Sequence, residues 1–262
     1  MVPSSHGVPG ADWRERVIFA YLEEPPFCFR TAAGSGASGC DVELAQAVLG
    51  DLGVAACDFV EAEFADLIPG LVDGRWTMTT GLFVTPERSK RIAFSRPIWA
   101  LHDGLLVRAG NPRNIAGYGS VAADASVRLA IVKDQAQRDN ALKSGIPAAR
   151  IVEFHTQNEA ADAVAGGAAD AYASVAMAHR GYLASHGSAP LTVVDVSASE
   201  LAPAFGAFGF AQANAGLAEA VDRALSLYLG SGAHRQLMTR YGLAPAEVDR
   251  VVVRDKMGGS KV

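Results

Sequence analysis

The sequence predicts an α/β protein built on parallel sheets. Short β-prone segments alternate with helical patterns along most of the chain, and this alternation is typical of strand–helix–strand units. Half of the 262 residues are hydrophobic and 27 are glycine, which suits a compact α/β core. At this length the chain forms either one large domain or two small ones, and both can bury a core.

The first predicted elements surround a proline-containing turn. Residues 16–21 are a candidate buried strand, and the run Glu23-Glu24-Pro25-Pro26-Phe27 follows as a turn. We expect Asp41 to cap a helix that extends to about residue 52, and residues 57–60 to form the next strand.

An amphipathic helix is predicted at residues 64–72, because apolar side chains recur there with the spacing of one buried helix face. These side chains are Phe64, Leu67, Ile68, Leu71 and Val72. Asp73-Gly74 ends the helix, and residues 77–84 are extended and β-prone.

The run Thr85-Pro86-Glu87-Arg88 predicts that a short helix begins directly after this strand. Thr85 suits the N-cap, Pro86 the first helical position and Glu87 the positive end of the helix dipole. The free N–H groups of a helix start favour an anion, and a guanidinium binds a carboxylate through two parallel hydrogen bonds. The local sequence leaves two interpretations of Arg88 open, a carboxylate site and a solvated surface charge.

The second half of the chain repeats the alternation of strands and helices. The predicted elements are, in order, a strand at 105–107 that crosses between domains, a new unit from Asn111-Pro112, a strand at 129–132, a helix from Asp134-Gln135 to Gly145, a strand at 151–154, a helix at 160–165 with Thr156 and Glu159 as its capping box, a strand at 171–173, a returning strand at 205–211, and helices at 217–229 and 233–241.

Charge and composition argue against several classes of function. The formal net charge is −5 and the basic residues are scattered, so there is no electrostatic case for nucleic acid. No apolar stretch reaches the ~20 residues of a membrane-spanning helix. Cys28, Cys40 and Cys57 form no C-x-x-C pair, and their odd number leaves at least one thiol free.

No cofactor or metal is expected. Gly34, Gly36 and Gly39 spell G-x-G-x-x-G, but a dinucleotide site requires the first glycine directly after a buried strand. Several residues separate these glycines from the strand at 16–21, so we interpret them as a surface turn. The spacing of His102, His155 and His179 is not that of zinc ligands.

Four motifs in order carry a family resemblance. They are L-I-P-x-L, then Gly74, then G-L-F-V-T-P-E-R, then F-S-R-P. Together they resemble the extracytoplasmic solute-binding proteins, family 3, of polar amino-acid ABC transporters, over residues 16–242. The resemblance implies a two-lobed periplasmic-binding-protein fold of type II, with residues 1–107 and 206–262 in lobe 1 and residues 108–205 in lobe 2. Two crossing strands would join the lobes, with the ligand cleft between them and hinge closure as the motion.

The same resemblance implies partners and a compartment. We expect a monomer that binds a small zwitterionic ligand and works outside the cytoplasmic membrane with the permease of an ABC transporter. Residues 1–12 lack the apolar region of a secretory signal peptide. This leaves a mature secreted form and an intracellular protein as alternatives, of which we favour the first.

Site residues follow from the resemblance by matching motifs. The arginine of T-P-E-R, here Arg88, clamps the α-carboxylate of the ligand in that family, and Thr85 belongs to the same motif. Glu24 and Phe27 match a cleft element before the first helix, and Phe64 the aromatic residue before L-I-P. Two further matches are Phe83, where amino-acid binders more often carry Ser or Thr, and Gln135, where they often carry Gly-Thr.

The largest departure from the family is Val175, which stands where amino-acid binders carry an aspartate for the α-ammonium. Without it, a bound α-amino acid would leave a buried ammonium unpaired. Glu24 with Phe27, Phe64 and Phe83 provides a different cation site, because aromatic faces attract a delocalised cation. This pattern resembles the ectoine- and hydroxyectoine-binding branch of the family.

Other interpretations stay open. In the simplest alternative, Phe27 and Phe83 are core residues and Glu24 is solvated. A polar amino-acid binder of the arginine or glutamine type is the main functional alternative. An enzyme similar to cyclohexadienyl dehydratase needs further acid or base groups, and Val175 supplies none, so we expect no enzyme. A sensor module that signals to a separate membrane partner is a third class.

Overall fold

The computed structural model describes residues 12–31, 36–187 and 189–256. The chain forms two compact units. The first contains the described residues of Met1–Ala62, Asp66–Ala100 and Phe205–Val262, and the second contains Glu63–Ala65 and Leu101–Ala204. Gly34, part of the G-x-G-x-x-G run, lies outside the described residues.

The strands of the described chain are β1 (Val17–Tyr21), β2 (Phe29–Arg30), β3 (Ala37–Ser38), β4 (Cys57–Glu61), β5 (Met78–Phe83), β6 (Ile92–Phe94), β7 (Trp99–Leu101), β8 (Asp103–Arg108), β9 (Leu129–Val132), β10 (Ile151–Phe154), β11 (Ala171–Val175), β12 (Leu191–Asp195) and β13 (Ala204–Ala211).

The α-helices of the described chain are α1 (Cys40–Asp51), α2 (Phe64–Val72), α3 (Pro86–Ser89), α4 (Tyr118–Ala123), α5 (Gln137–Lys143), α6 (Gln157–Ala165), α7 (Ala176–Ser185), α8 (Ala215–Tyr228), α9 (Gly232–Arg240) and α10 (Pro245–Lys256).

The main sheet of the first unit has the order β4-β1-β5-β13-β6, and β7 also pairs with β13. Strands β4, β1 and β5 are parallel, whereas β13 is antiparallel to β5 and β6. Because β1 and β5 are central, their side chains are buried, and Phe19 and Met78 are fully enclosed. The carboxyl ends of β1 and β5 lead into the turn after Tyr21 and into α3.

The sheet of the second unit has the order β10-β9-β11-β8-β12. Strands β10, β9 and β11 are parallel, and β8 is antiparallel to both of its neighbours. Apolar clusters cover the two faces of this sheet, one around Leu105 and Tyr118 and the other around Leu106 and Tyr172.

The expectation of purely parallel sheets is wrong for β8 and β13. Each of these strands enters its sheet without a helical crossover from a neighbouring strand, so nothing forces it to run parallel. Residues 105–107, expected to cross between domains, lie inside β8 and are paired on both edges within the second sheet. The lobe boundaries given above stay a prediction.

Several local predictions are confirmed. Helix α2 has the expected bounds, Thr85 caps α3 with Pro86 in the first turn, and Thr156 and Glu159 form the capping box of α6. The role expected for Asp41 is wrong: Gly39 is the N-cap of α1 and makes no side-chain cap. Gly39 has φ 122°, and an added Cβ would lie 2.1 Å from the carbonyl oxygen of Phe27, so only glycine fits there.

Candidate functional site

A tight turn after β1 positions the first two site residues predicted from the sequence. Glu24 N donates to Cys28 O (2.9 Å), while Cys28 N (3.2 Å) and Phe27 N (3.0 Å) donate to Glu24 O. The turn is also tied to α1, because Asp41 N donates to Phe27 O (3.0 Å). Glu24 and Phe27 are therefore held by backbone hydrogen bonds that do not depend on their side chains.

Glu24 is partly exposed as a residue, but its carboxyl group is enclosed. Burial, and second the negative charge of Asp41, raise the pKa of Glu24 to about 7. The carboxyl group therefore titrates far above its ordinary range, and a cation placed beside it would favour the charged form.

Asp41 is fully buried beneath this turn and accepts hydrogen bonds from several parts of the first unit. Its Oδ2 accepts from Thr80 Oγ1 (2.7 Å) and Gly81 N (2.8 Å), and its Oδ1 accepts from Trp99 Nε1 (3.1 Å). Burial raises the pKa of Asp41, and these hydrogen bonds oppose that rise by stabilising the carboxylate.

Trp99 joins two predicted ligand residues into an aromatic cluster, which we define as Phe27, Phe83 and Trp99. The ring centroids of Phe27 and Phe83 lie 5.7 and 5.3 Å from that of Trp99, a distance typical of favourable ring pairs. The indole lies against the backbone of two strands, since a Cβ at Gly81 or Gly206 would come within 2.7 or 2.0 Å of it.

Arg88 lies in α3, directly after β5, and is half-buried. Its backbone N donates to Thr85 Oγ1 (3.3 Å), and its Nη1 donates to the carbonyl oxygen of Phe83 (3.0 Å). The second contact fixes the orientation of the guanidinium relative to the aromatic cluster. A guanidinium held in this way suits a planar carboxylate, because its donors form a rigid fork.

The two remaining predicted site residues belong to the second unit. Phe64 is partly buried and packs against the apolar cluster around Leu106 and Tyr172. Gln135 follows the carboxyl end of β9 and is 9% exposed. Its Oε1 is buried and has no hydrogen-bond partner among the described residues, so it is an acceptor available to a donor from a ligand.

Val175 ends β11 and is paired directly with Asp103 of β8. Asp103 is 3% exposed and accepts from Tyr118 Oη (2.6 Å), Gln137 Nε2 (2.9 Å) and Asn140 Nδ2 (2.9 Å). Burial raises the pKa of Asp103, and these three hydrogen bonds offset only part of that rise. Its carboxylate is satisfied inside the second unit.

The first unit therefore contains five of the seven predicted site residues, on the turn after β1, the end of β5 and the start of α3: Glu24, Phe27, Phe83, Thr85 and Arg88. Phe64 and Gln135 lie in the second unit. The sequence analysis did not link Asp41 or Trp99 to these residues. Gly81 and Gly206 were the available indication, because glycine inside a strand often marks a close approach by another group.

No helix among the residues that the structure describes has the length and hydrophobicity to cross a membrane.

Comparison with known proteins identifies the family of the chain. The family of bacterial extracellular solute-binding proteins, family 3, matches residues 17–244. A probable amino-acid ABC transporter periplasmic-binding protein of Sinorhizobium fredii (strain NBRC 101917 / NGR234) is 30% identical over 244 residues, which cover 90% of this chain and 79% of that protein.

Solved structures show the same fold. EhuB in complex with hydroxyectoine has a TM-score of 0.82 at 24% identity, with 95% of this chain and 96% of EhuB covered. An ancestral arginine-binding protein bound to arginine has a TM-score of 0.76 at 21% identity, with 88% of this chain and all of that chain (100%) covered.

The chain is a mixed α/β protein with the two-lobed fold of periplasmic binding proteins, and it belongs to the bacterial extracellular solute-binding proteins, family 3. More particularly, it is the solute-binding component of an ABC importer of the amino-acid type. Its partners are accordingly a small ligand and the membrane permease of that importer, and the family works outside the cytoplasmic membrane.

Proposed function

We propose that this protein captures a small zwitterion with a delocalised ring cation, such as ectoine or hydroxyectoine, and delivers it to the permease. The observation that carries the proposal is the turn after β1, which contains both Glu24, with its enclosed carboxyl group, and Phe27 of the aromatic cluster. Glu24 has its pKa raised to about 7, and Phe27 of the same turn packs on Trp99. A cation bound there gains both a carboxylate partner and aromatic faces.

The opposite charge of the zwitterion is assigned to Arg88. The hydrogen bond from its Nη1 to Phe83 O pre-orders the guanidinium, which reduces the entropy lost when a carboxylate binds. The proposed ligand residues are Glu24, Phe27, Phe83, Thr85 and Arg88 of the first unit and Phe64 and Gln135 of the second.

Val175 supports this ligand class over α-amino acids. Its buried apolar side chain offers no partner to an α-ammonium group, and the neighbouring carboxylate of Asp103 already accepts three hydrogen bonds. An unpaired ammonium enclosed at this position would be strongly disfavoured.

A polar amino acid of the arginine or glutamine type is the second candidate. The buried acceptor Oε1 of Gln135 favours a ligand with an additional N–H donor, and arginine and glutamine both carry one. In this alternative Glu24 contacts the side chain of the amino acid. Binding proteins for such amino acids share the fold.

We also propose a periplasmic monomer without enzymatic activity, whose two units act as the lobes that close on the ligand. A carboxyl group and a guanidinium alone provide charge stabilisation, but no second acid or base stands at the position of Val175 to complete a proton transfer.

Titration calorimetry with ectoine, hydroxyectoine, arginine and glutamine tests the proposed ligand. Ectoine and hydroxyectoine should bind most tightly, and Glu24→Gln should weaken their binding because the cation loses its carboxylate partner. Glu23→Gln is the matched control, since Glu23 is exposed and accepts from the backbone of Arg30. If the protein binds arginine or glutamine tightly and binds neither ectoine nor hydroxyectoine, the first candidate is rejected in favour of the second.

A further inference from the structure

Asp41 organises the part of the first unit on which the proposed ligand residues stand. Its two carboxylate oxygens accept from three elements: Thr80 and Gly81 of β5, Trp99 of β7 and, more weakly, the thiol of Cys40 (3.7 Å) in α1 itself. Such a buried carboxylate is costly unless its hydrogen bonds are complete. Its position at the first turn of α1 gives it no capping role, so these contacts are what its side chain does.

Trp99 transmits this arrangement to the aromatic cluster. The hydrogen bond from Nε1 to Asp41 fixes the rotation of the indole, which lies close against the backbone at Gly81 and Gly206. Phe27 and Phe83 both pack on that ring. A change in the tilt of Trp99 would therefore move both phenylalanines, and with Phe83 the strand end whose carbonyl oxygen holds Arg88.

A second line of contact leads from Asp41 to the turn that carries Glu24. The hydroxyl proton of Thr80 is donated to Asp41, so the thiol of Cys28 is the donor in its contact with Thr80 Oγ1 (3.1 Å). The backbone of Cys28 is in turn hydrogen-bonded to that of Glu24. Asp41 thus reaches Glu24 through this chain of hydrogen bonds and through its own charge.

We propose that Asp41 is a positioning residue of the ligand site, which acts through Trp99 to hold Phe27 and Phe83 and through Thr80 and Cys28 to hold the turn that carries Glu24. This inference rests on the proposed function, because it concerns the same site. It predicts two effects of a change at Asp41 that a merely structural residue would not produce together: a rearranged indole and a displaced titration of Glu24.

The ligand-free protein gives the first measurement. Its three tryptophans each give one indole N–H resonance, and Trp99→Phe identifies that of Trp99. In Asp41→Asn this resonance should shift, because an amide is a weaker acceptor than a carboxylate. The carboxyl resonance of Glu24 should titrate near pH 7 in the wild type and at lower pH in Asp41→Asn, since a neighbouring negative charge has been removed.

The neighbouring ionisable groups do not complicate this titration. Burial raises the pKa of the Cys28 and Cys40 thiols well above their ordinary value, so both stay neutral around pH 7. Glu23, which acts on Cys28, is present in both proteins. Asp41 itself is the charge that differs.

Calorimetry with hydroxyectoine and, separately, with arginine gives the second measurement. Asp41→Asn and Trp99→Phe should each weaken ligand binding by about tenfold, because the hydrogen bond that holds the aromatic cluster in place is weakened or lost. Asp222→Asn is the matched control, because it weakens a half-buried contact in the same unit, in which Asp222 accepts from Arg96 N (2.6 Å) and pairs with the Arg96 guanidinium (3.1 Å). It should lower stability and leave affinity unchanged.

The outcomes separate the two proposals. If the wild-type protein binds neither probe, the proposed function fails, while the indole and Glu24 resonances still decide the role of Asp41. If Asp41→Asn leaves both resonances in place, the positioning role is rejected. Should that variant not fold, a Trp99→Phe protein with wild-type affinity rejects the role equally, because phenylalanine lacks both the N–H donor to Asp41 and part of the ring system on which Phe27 and Phe83 pack.

Discussion

The guanidinium of Arg88 donates to the carbonyl oxygen of Phe83, 3.0 Å away and five residues earlier in the chain. The strand end and the first turn of α3 are therefore joined by a side chain as well as by the backbone. This contact holds the charged group in place before any ligand arrives.

The first prediction concerns this residue. Arg88→Ala should reduce ligand affinity by about 2–5 kcal/mol, because the ligand carboxylate would lose its charge-assisted partner in an enclosed site. Arg88→Lys should recover only part of the loss, since a single ammonium cannot make two parallel hydrogen bonds. Titration calorimetry measures both. Lys90→Ala in the same segment is the control, as Lys90 is exposed and pairs with Glu87.

The second prediction concerns ligand class. Val175→Asp should move preference toward α-amino acids, because it restores a partner for the ammonium group. A thermal-shift panel detects this readily, since a ligand at 100 times its dissociation constant stabilises the fold by about 2.7 kcal/mol. If arginine and glutamine stabilise the variant no more than the wild type, the assignment of position 175 is wrong.

The third prediction concerns acid stability. His179 is fully buried, and burial lowers its pKa to about 4 from an ordinary 6.5. The folded state therefore resists protonation that the unfolded chain accepts, so stability is full above pH 6.5 and falls by about 3 kcal/mol as the pH drops to 4. Chemical denaturation at several pH values should show this slope.

Substitution separates the contribution of this histidine from others. His179→Gln should flatten the slope. Part of the slope should remain in this variant, because burial also lowers the pKa of His234 to about 4. An identical slope in His179→Gln and the wild type would contradict the assignment.

The fourth prediction concerns the close packing of Trp99 against Gly206. Gly206→Ala should destabilise the protein by about 1–3 kcal/mol through overpacking, because the new Cβ would lie 2.0 Å from the indole. It should also weaken ligand binding by displacing the aromatic cluster. Gly50→Ala is the control: this glycine lies in α1 with nothing near its added Cβ, so the variant should gain about 0.5–1 kcal/mol. Denaturation midpoints of both variants decide the matter.

Local patterns predicted much of this fold, and contacts between distant residues account for what they missed. The bounds of α2 and the caps of α3 and α6 follow from residues within one helix, so the sequence contains all that determines them. Asp41 was misinterpreted because its partners lie far along the chain, with Trp99 58 residues away. The side chain of Asp41 suits an N-cap, but it is buried and accepts hydrogen bonds from Thr80, Gly81 and Trp99 instead.

The site shows the same division. Arg88 and Thr85 are readable from a four-residue run, because a strand, a cap and a basic side chain follow one another directly. The contribution of Trp99 depends on two glycines in strands β5 and β13, which only the folded sheet brings together. No local pattern near Trp99 predicts its contacts with Phe27 and Phe83.

The pairing of Val175 with Asp103 across β11 and β8 limits how this protein can change its ligand over evolutionary time. Residues directly opposite on antiparallel strands have Cβ atoms about 4.5–5.5 Å apart, and like charges there repel. An aspartate acquired at position 175 would face the buried carboxylate of Asp103 until an ammonium ligand separated them. A carboxylate at this position would therefore lower the stability of the ligand-free protein, whatever it does for binding.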